Sequence, residues 1–188
     1  VRLGVEKSIM IVDMPYNTYR NPREALRNAK LVMKKTKCDG VKIEGGKKIV
    51  PIVKILIKNK IPVMGHVGIL PQTDKKFPFK GKRLKESEKI LNDTKLLEKA
   101  GVFSIVVECV ETERSKKITD QIKIPTIGIG SSANCDGQIL VIDDLIGMSN
   151  SKLKFVKKYA DIKKVINSAV KSYKLEVLKK KFPQAKHS

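Results

Sequence analysis

The stretch GVKIEGG, residues 40–46, places a lysine and a glutamate inside a short apolar run. Side chains alternate between the two faces of a strand, so Val41 and Ile43 go to one side while Lys42 and Glu44 go to the other. The charged face must meet something polar, and which strands lie beside it decides what that is.

Five further apolar runs share this brevity, at 8–14, 61–67, 103–109, 125–130 and 138–143, and longer Lys-rich amphipathic segments separate them. The alternation predicts βα units around a parallel sheet. Asn21 followed by Pro22 is a cap and first-turn pair for a helix reaching about Thr36, with Ala25, Ala29, Val32 and Met33 on one face. A second helix is expected over 47–59, with Pro51 tolerated only near its first turn. A third covers 85–101 and ends at Gly101; others follow over 111–122 and 161–180. Two stretches break the rhythm. Residues 68–84 form a long loop, and loops of that length in compact domains are usually functional. Residues 144–158, with Gly147, Ser149 and Asn150, form a second irregular region. With no exact repeat, low-complexity tract or linker, residues 1–188 are expected to form a single domain.

A chain of 188 residues with 41% hydrophobic content can bury a core. No apolar run approaches the roughly 20 residues that span a bilayer, and the start carries no export signal. Cys38, Cys109 and Cys135 are odd in number and far apart, which suggests neither a disulfide framework nor a zinc site and fits a cytoplasmic location. The net charge of +21 raises the question of nucleic acid. The excess is lysine, however; arginine occurs only at Arg2, Arg20, Arg23, Arg27, Arg83 and Arg114. Bidentate reading of phosphates and bases favours arginine, and aromatics make up only 5% of the chain. A solvated Lys-rich surface is expected, with neither a nucleic-acid nor a membrane partner.

Polar residues fall repeatedly at the ends of the predicted strands: Asp13, then Lys42 and Glu44, His66, Glu108, Ser131 and Ser132, and last Asp143 and Asp144. All point to the C-terminal face of a parallel sheet, where α/β barrels assemble active sites. Two carboxylates and a lysine on one rim suit a divalent, oxygen-liganded metal and an anionic oxo acid, with a remaining carboxylate as base. Zinc is disfavoured, since only His66 lies in the folded region and His187 sits in the tail. TIGIGSSANCDGQ (126–138) has glycines that allow close backbone approach and could cradle an anion, but it lacks a full GxGxxG followed by a helix.

DMPY (13–16), VKIEGG (41–46), PVMGHVGILPQ (62–72), VVECV (106–110), IGIGSSANCDGQILV (127–141) and KFVKKYADI (154–162) run in collinear order. In these motifs essentially the whole chain resembles the ketopantoate hydroxymethyltransferase family. The resemblance implies an α/β fold, a (β/α)8 TIM-type barrel of which about six βα units, the third to eighth strands, are present. It also implies a homo-oligomer, usually a decamer. The implied reaction moves a hydroxymethyl group from 5,10-methylenetetrahydrofolate to 3-methyl-2-oxobutanoate, giving 2-dehydropantoate (ketopantoate) in pantothenate biosynthesis through a magnesium-stabilised enolate. Carried over by motif, Asp13 resembles a magnesium ligand that also approaches the substrate, and Glu44 a second metal carboxylate acting through water. Lys42 resembles the residue that binds the oxo acid, Glu108 the general base, and His66 a residue lining the substrate site.

By the same comparison the first two βα units are expected to be missing, together with a Gly-Asp-Ser segment that supplies another metal ligand and a substrate-binding serine. The chain by itself is then expected to have an incomplete site and an exposed first edge. Leu70 stands where the family usually has threonine, Ser131 and Ser132 replace an Ala-Gly pair, and Asp143 occupies a usual histidine position. Two rivals are weighed: another metal-enolate barrel of the phosphoenolpyruvate mutase and isocitrate lyase type, and a Lys-rich nucleic-acid-binding module without catalysis.

Overall fold

Val41 and Ile43 are fully buried, while Lys42 between them is only half-buried, as the alternation of GVKIE requires. The structure, a computed structural model, describes residues 1–75 and 78–187. In it the strands β1 (Ile11–Asp13), β2 (Gly40–Glu44), β3 (Val63–Gly68), β4 (Ser104–Glu108), β5 (Thr126–Ile129) and β6 (Gly137–Gln138) form one sheet in sequential order. Every pairing is parallel. Helices α1 (Pro22–Thr36), α2 (Val50–Lys58), α3 (Leu84–Ala100) and α4 (Thr112–Gln121) supply the crossovers between β1 and β5. Such crossovers are right-handed almost without exception, so sequential strand order puts all four helices on one face of the sheet. These are consecutive βα units of a TIM-type barrel, as expected.

The caps explain where the helices start and stop. Oδ1 of Asn21 accepts the N–H of Glu24 at 2.9 Å, and Pro22 occupies the first turn of α1. Pro51 lies in the first turn of α2, where its missing N–H costs nothing. Gly101 ends α3 with φ of +101°, a conformation that favours glycine. Val41, Ile43, Val63, Val67, Ile105 and Val107 on the helix-covered face pack with Ala25, Ala29, Val53, Leu56 and Leu97. Each such Val, Ile or Leu contributes about 1.5–3 kcal/mol by leaving water.

Contacts gather the chain into two compact units, 1–139 and 140–188. The first holds the six strands and α1–α4. In the second, α5 (Ile142–Leu145) leads through an irregular segment to α6 (Ile162–Leu178), which Asp161 caps by accepting the N–H of Lys164 at 3.0 Å. The backbone N–H groups of Tyr159 and Ile162 return to the carbonyls of Leu145 and Ile146. A strand over 138–143 is not formed. β6 stops at Gln138, and Asp143 and Asp144 lie in α5 instead of at a strand end. The N–H of Asp144 already bonds back to the carbonyl of Val141, so the backbone has turned into a helix before it reaches them.

Candidate active site

Register assembles the site. Asp13 pairs with Lys42, Glu44 with His66, and Gly68, two residues beyond His66, with Glu108. Residues opposite one another or two apart share a face. Asp13, Lys42, Glu44, His66 and Glu108 therefore all lie on the face turned away from the helices, at the C-terminal ends of four neighbouring strands.

Lys42 is the hub. Its Nζ lies 3.1 Å from Oδ1 of Asp13, 3.1 Å from Nδ1 of His66 and 3.9 Å from Oε1 of Glu44. His66 in turn places Nε2 3.2 Å from Oε2 of Glu108, within ion-pair reach but off the line of a hydrogen bond. Asp13 is exposed, whereas Glu44, His66 and Glu108 are buried. Buried carboxylates need partners. Glu44 has one in the backbone N–H of Gln72, which donates to Oε2 at 3.1 Å.

Two residues here carry no predicted role. The amide nitrogen of Gln72 donates to the carbonyl of Met14 at 2.9 Å, and its Oε1 accepts the hydroxyl of Tyr19 at 2.6 Å. The Tyr19 oxygen also receives the N–H of Glu44 at 3.4 Å. Burial pushes the Tyr19 hydroxyl above its ordinary pKa, only partly opposed by the Glu44 N–H. Both residues sit in quoted or neighbouring motif segments, but neither is ionic at a strand end, so the pattern of strand-end charges passes over them. With Tyr16, Arg20, Glu44, Leu70 and Thr73 they line a pocket of about 170 Å³. That is below the roughly 300–1,000 Å³ of drug-sized sites and suits a small molecule.

The long loop over 68–84 is strapped to the end of β4. The N–H of Ile69 bonds to the carbonyl of Glu108 at 2.9 Å, that of Lys80 to the carbonyl of Cys109 at 2.7 Å, and that of Glu111 to the carbonyl of Lys80 at 2.9 Å. Residues 76 and 77 of this loop lie outside the described residues. Ser131 bonds β4 to the glycine-rich turn, donating to the carbonyl of Val107 at 2.7 Å and accepting the N–H of Val110 at 3.2 Å. A Cβ at Gly128 would stand 2.9 Å from the Gln138 amide, so this glycine is explained by packing.

Asp13 and Glu44 offer oxygen donors only, and Oε1 of Glu44 is engaged only in ion pairs at 3.9 Å, its Oε2 holding the Gln72 N–H. Among the described residues no three His, Cys, Asp or Glu side chains form a metal cage. The pair fits magnesium, which commonly takes one or two carboxylates and fills its octahedron with water and substrate oxygens.

Residues 1–185 match the family model described as ketopantoate hydroxymethyltransferase. The chain is 61% identical over 188 residues to the 3-methyl-2-oxobutanoate hydroxymethyltransferase of Pelagibacter ubique, covering 100% of this chain and 73% of that protein. It is 45% identical over 190 residues to the protein of the same name from Carboxydothermus hydrogenoformans, covering 98% and 69%. The corresponding Trichodesmium erythraeum protein is 43% identical over 189 residues, with 98% and 72% covered.

Proposed function

The chain belongs to the ketopantoate hydroxymethyltransferase family of enzymes, and from that premise we propose that the rim of β1–β4 takes 3-methyl-2-oxobutanoate and adds a hydroxymethyl group from 5,10-methylenetetrahydrofolate. Membership sets aside the phosphoenolpyruvate mutase type of barrel. The observation that carries the proposal is the gathering of Asp13, Lys42, Glu44, His66 and Glu108 on one face, with an ammonium 3.1 Å from the first carboxylate.

Each residue has a task. Asp13 and Glu44 would hold magnesium. When bound, that ion supplies positive charge at the keto oxygen and so acidifies the neighbouring C–H. Lys42 offers an ammonium for the anionic acid and for the charge that develops as the proton leaves. Glu108, buried at the end of β4, takes that proton as base. The C–H bond breaks, its proton goes to the carboxylate, and the electron pair enters the enolate, which forms the new C–C bond to the donor's methylene carbon. Over the whole reaction both C–N bonds of that methylene break, one water supplies the hydroxyl oxygen, and tetrahydrofolate leaves with its two nitrogens protonated by the C3 proton and a proton of that water. The segment after β3 is fastened to the site by the Gln72 N–H, which holds Oε2 of Glu44. A homo-oligomer, a cytoplasmic location and a place in pantothenate biosynthesis belong to the same proposal.

The test follows hydrogen–deuterium exchange at C3 of 3-methyl-2-oxobutanoate, with magnesium and without folate, in the full-length protein. Glu108→Gln is expected to slow exchange by about 10²–10⁴-fold, the usual contribution of a positioned base. Unchanged exchange would show that another group takes the proton.

A further inference from the structure

Nε2 of His66 is the one side-chain nitrogen or oxygen fully closed off from solvent among the described residues that has no hydrogen-bond partner. An orphaned buried donor costs about 1–3 kcal/mol, so its position asks for a reason. The other ring nitrogen supplies it. Nδ1 lies 3.1 Å from Nζ of Lys42, and an ammonium has protons to give and no lone pair with which to receive one. Nδ1 is therefore the acceptor and carries no hydrogen. The neutral ring keeps its hydrogen on Nε2, the atom 3.2 Å from Oε2 of Glu108. With Nδ1 so engaged, its 3.9 Å approach to Oε1 of Glu44 is no hydrogen bond.

Resting on the reading of Glu108 as base, we propose that His66 is a positioning residue: Lys42 fixes its tautomer, and the Nε2–H holds Oε2 of Glu108 so that Oε1 is the oxygen that takes the substrate proton. His66, 2% exposed, touches no substrate in this arrangement. That differs from the substrate-binding role implied by the sequence resemblance. Hydrogen bonds of this kind are often misaligned before substrate is bound and tighten in the complex, which accounts for a contact that is near but off the line. No proton leaves His66 in the step. It moves from C3 of the oxo acid to Oε1 of Glu108, and the C–H electron pair becomes the enolate.

Two substitutions separate the ring's two bonds in the full-length protein. His66→Gln keeps a donor near the place of Nε2, and His66→Asn keeps an acceptor near the place of Nδ1. In the C3 exchange assay, His66→Gln is expected to lose less than about tenfold in kcat and His66→Asn about 10²-fold or more, with KM for the oxo acid within about threefold in both. Equal losses in the two variants, or a loss confined to KM, would overturn the proposal. Nitrogen-15 NMR of the unsubstituted protein and of Glu108→Gln reads the tautomer and its partner without an activity assay. An Nε2–H ring whose resonance moves in Glu108→Gln supports the proposal; an Nδ1–H ring overturns it. Undiminished exchange in Glu108→Gln would instead remove the base assignment on which the proposal stands, so the two failures are told apart.

Discussion

Lys42 binds three neighbours with a single charge, and that makes its removal informative. Lys42→Met keeps much of the stem but takes an ammonium from between Asp13 and Glu44. Two unit charges about 4 Å apart interact by roughly 4 kcal/mol at an effective dielectric near 20, so the repulsion felt by an incoming divalent ion should fall. The variant is expected to bind magnesium about tenfold more tightly by calorimetry, while its KM for the oxo acid rises about tenfold, each corresponding to roughly 1.4 kcal/mol. Parallel shifts of the two constants would contradict the placement of Lys42 between metal and substrate. The next residue after Glu108 is equally constrained. Burial, and then the charge of Glu108, pushes the Cys109 thiol from 9.0 up to about 11. A pKa raised on folding means stability that is fully present below the unfolded value and lost as pH climbs through the folded one. Denaturant midpoints are therefore expected to fall between pH 9 and 11, and iodoacetamide to leave Cys109 unmodified at pH 8 while the fold is intact.

At the scale of elements, Gly68 ties two strands at the site. Its φ is +95°, and a Cβ there would stand 2.1 Å from the carbonyl oxygen of Glu108. Gly68→Ala must push the end of β4 away and adopt a strained backbone, a cost of about 1–3 kcal/mol. Thermal melting is expected to show that loss, and the C3 exchange rate to fall with it because Glu108 is carried on the displaced strand. Melting unchanged from the parent would mean that β3 and β4 separate there without penalty. Why the elements were legible in the sequence varies along the chain. α1 was plain because Asn21 and Pro22 mark its start through local hydrogen bonding alone. β2–β5 were plain because short apolar runs agree with polar residues at their C-terminal ends, ionisable for β2–β4 and serines for β5. The run QILVID was misleading because its apolar pattern is not matched by burial: Ile139, Val141 and Ile142 are 55%, 53% and 61% exposed. Tyr19 and Gln72 were passed over for a different reason. Their importance lies in contacts over 53 residues of separation, which no local spacing encodes.

For the whole chain the question is what a net charge of +21 does when the substrate is a small anion. A strongly positive surface raises the local concentration of anions and their rate of encounter, by as much as 10–10³-fold where the field is focused in a cleft. It leaves the chemistry at the rim of β1–β4 untouched, since Lys42, Glu44, His66 and Glu108 are at least half-buried and their pairs are screened little by salt. The two effects separate on a salt axis. Raising ionic strength from about 0.01 to about 1 M shortens the Debye length from about 30 to about 3 Å, so kcat/KM for the oxo acid is expected to fall about tenfold or more while kcat stays level. Steady-state kinetics over that range in the full-length protein provide the check. If kcat falls with kcat/KM, salt is reaching the Lys42–Asp13 pair, whose carboxylate is exposed, and the site's own ion pairs rather than the surface field set the dependence. If neither changes, the lysines lie too far from the pocket mouth to steer the substrate, and their role is confined to keeping the surface solvated.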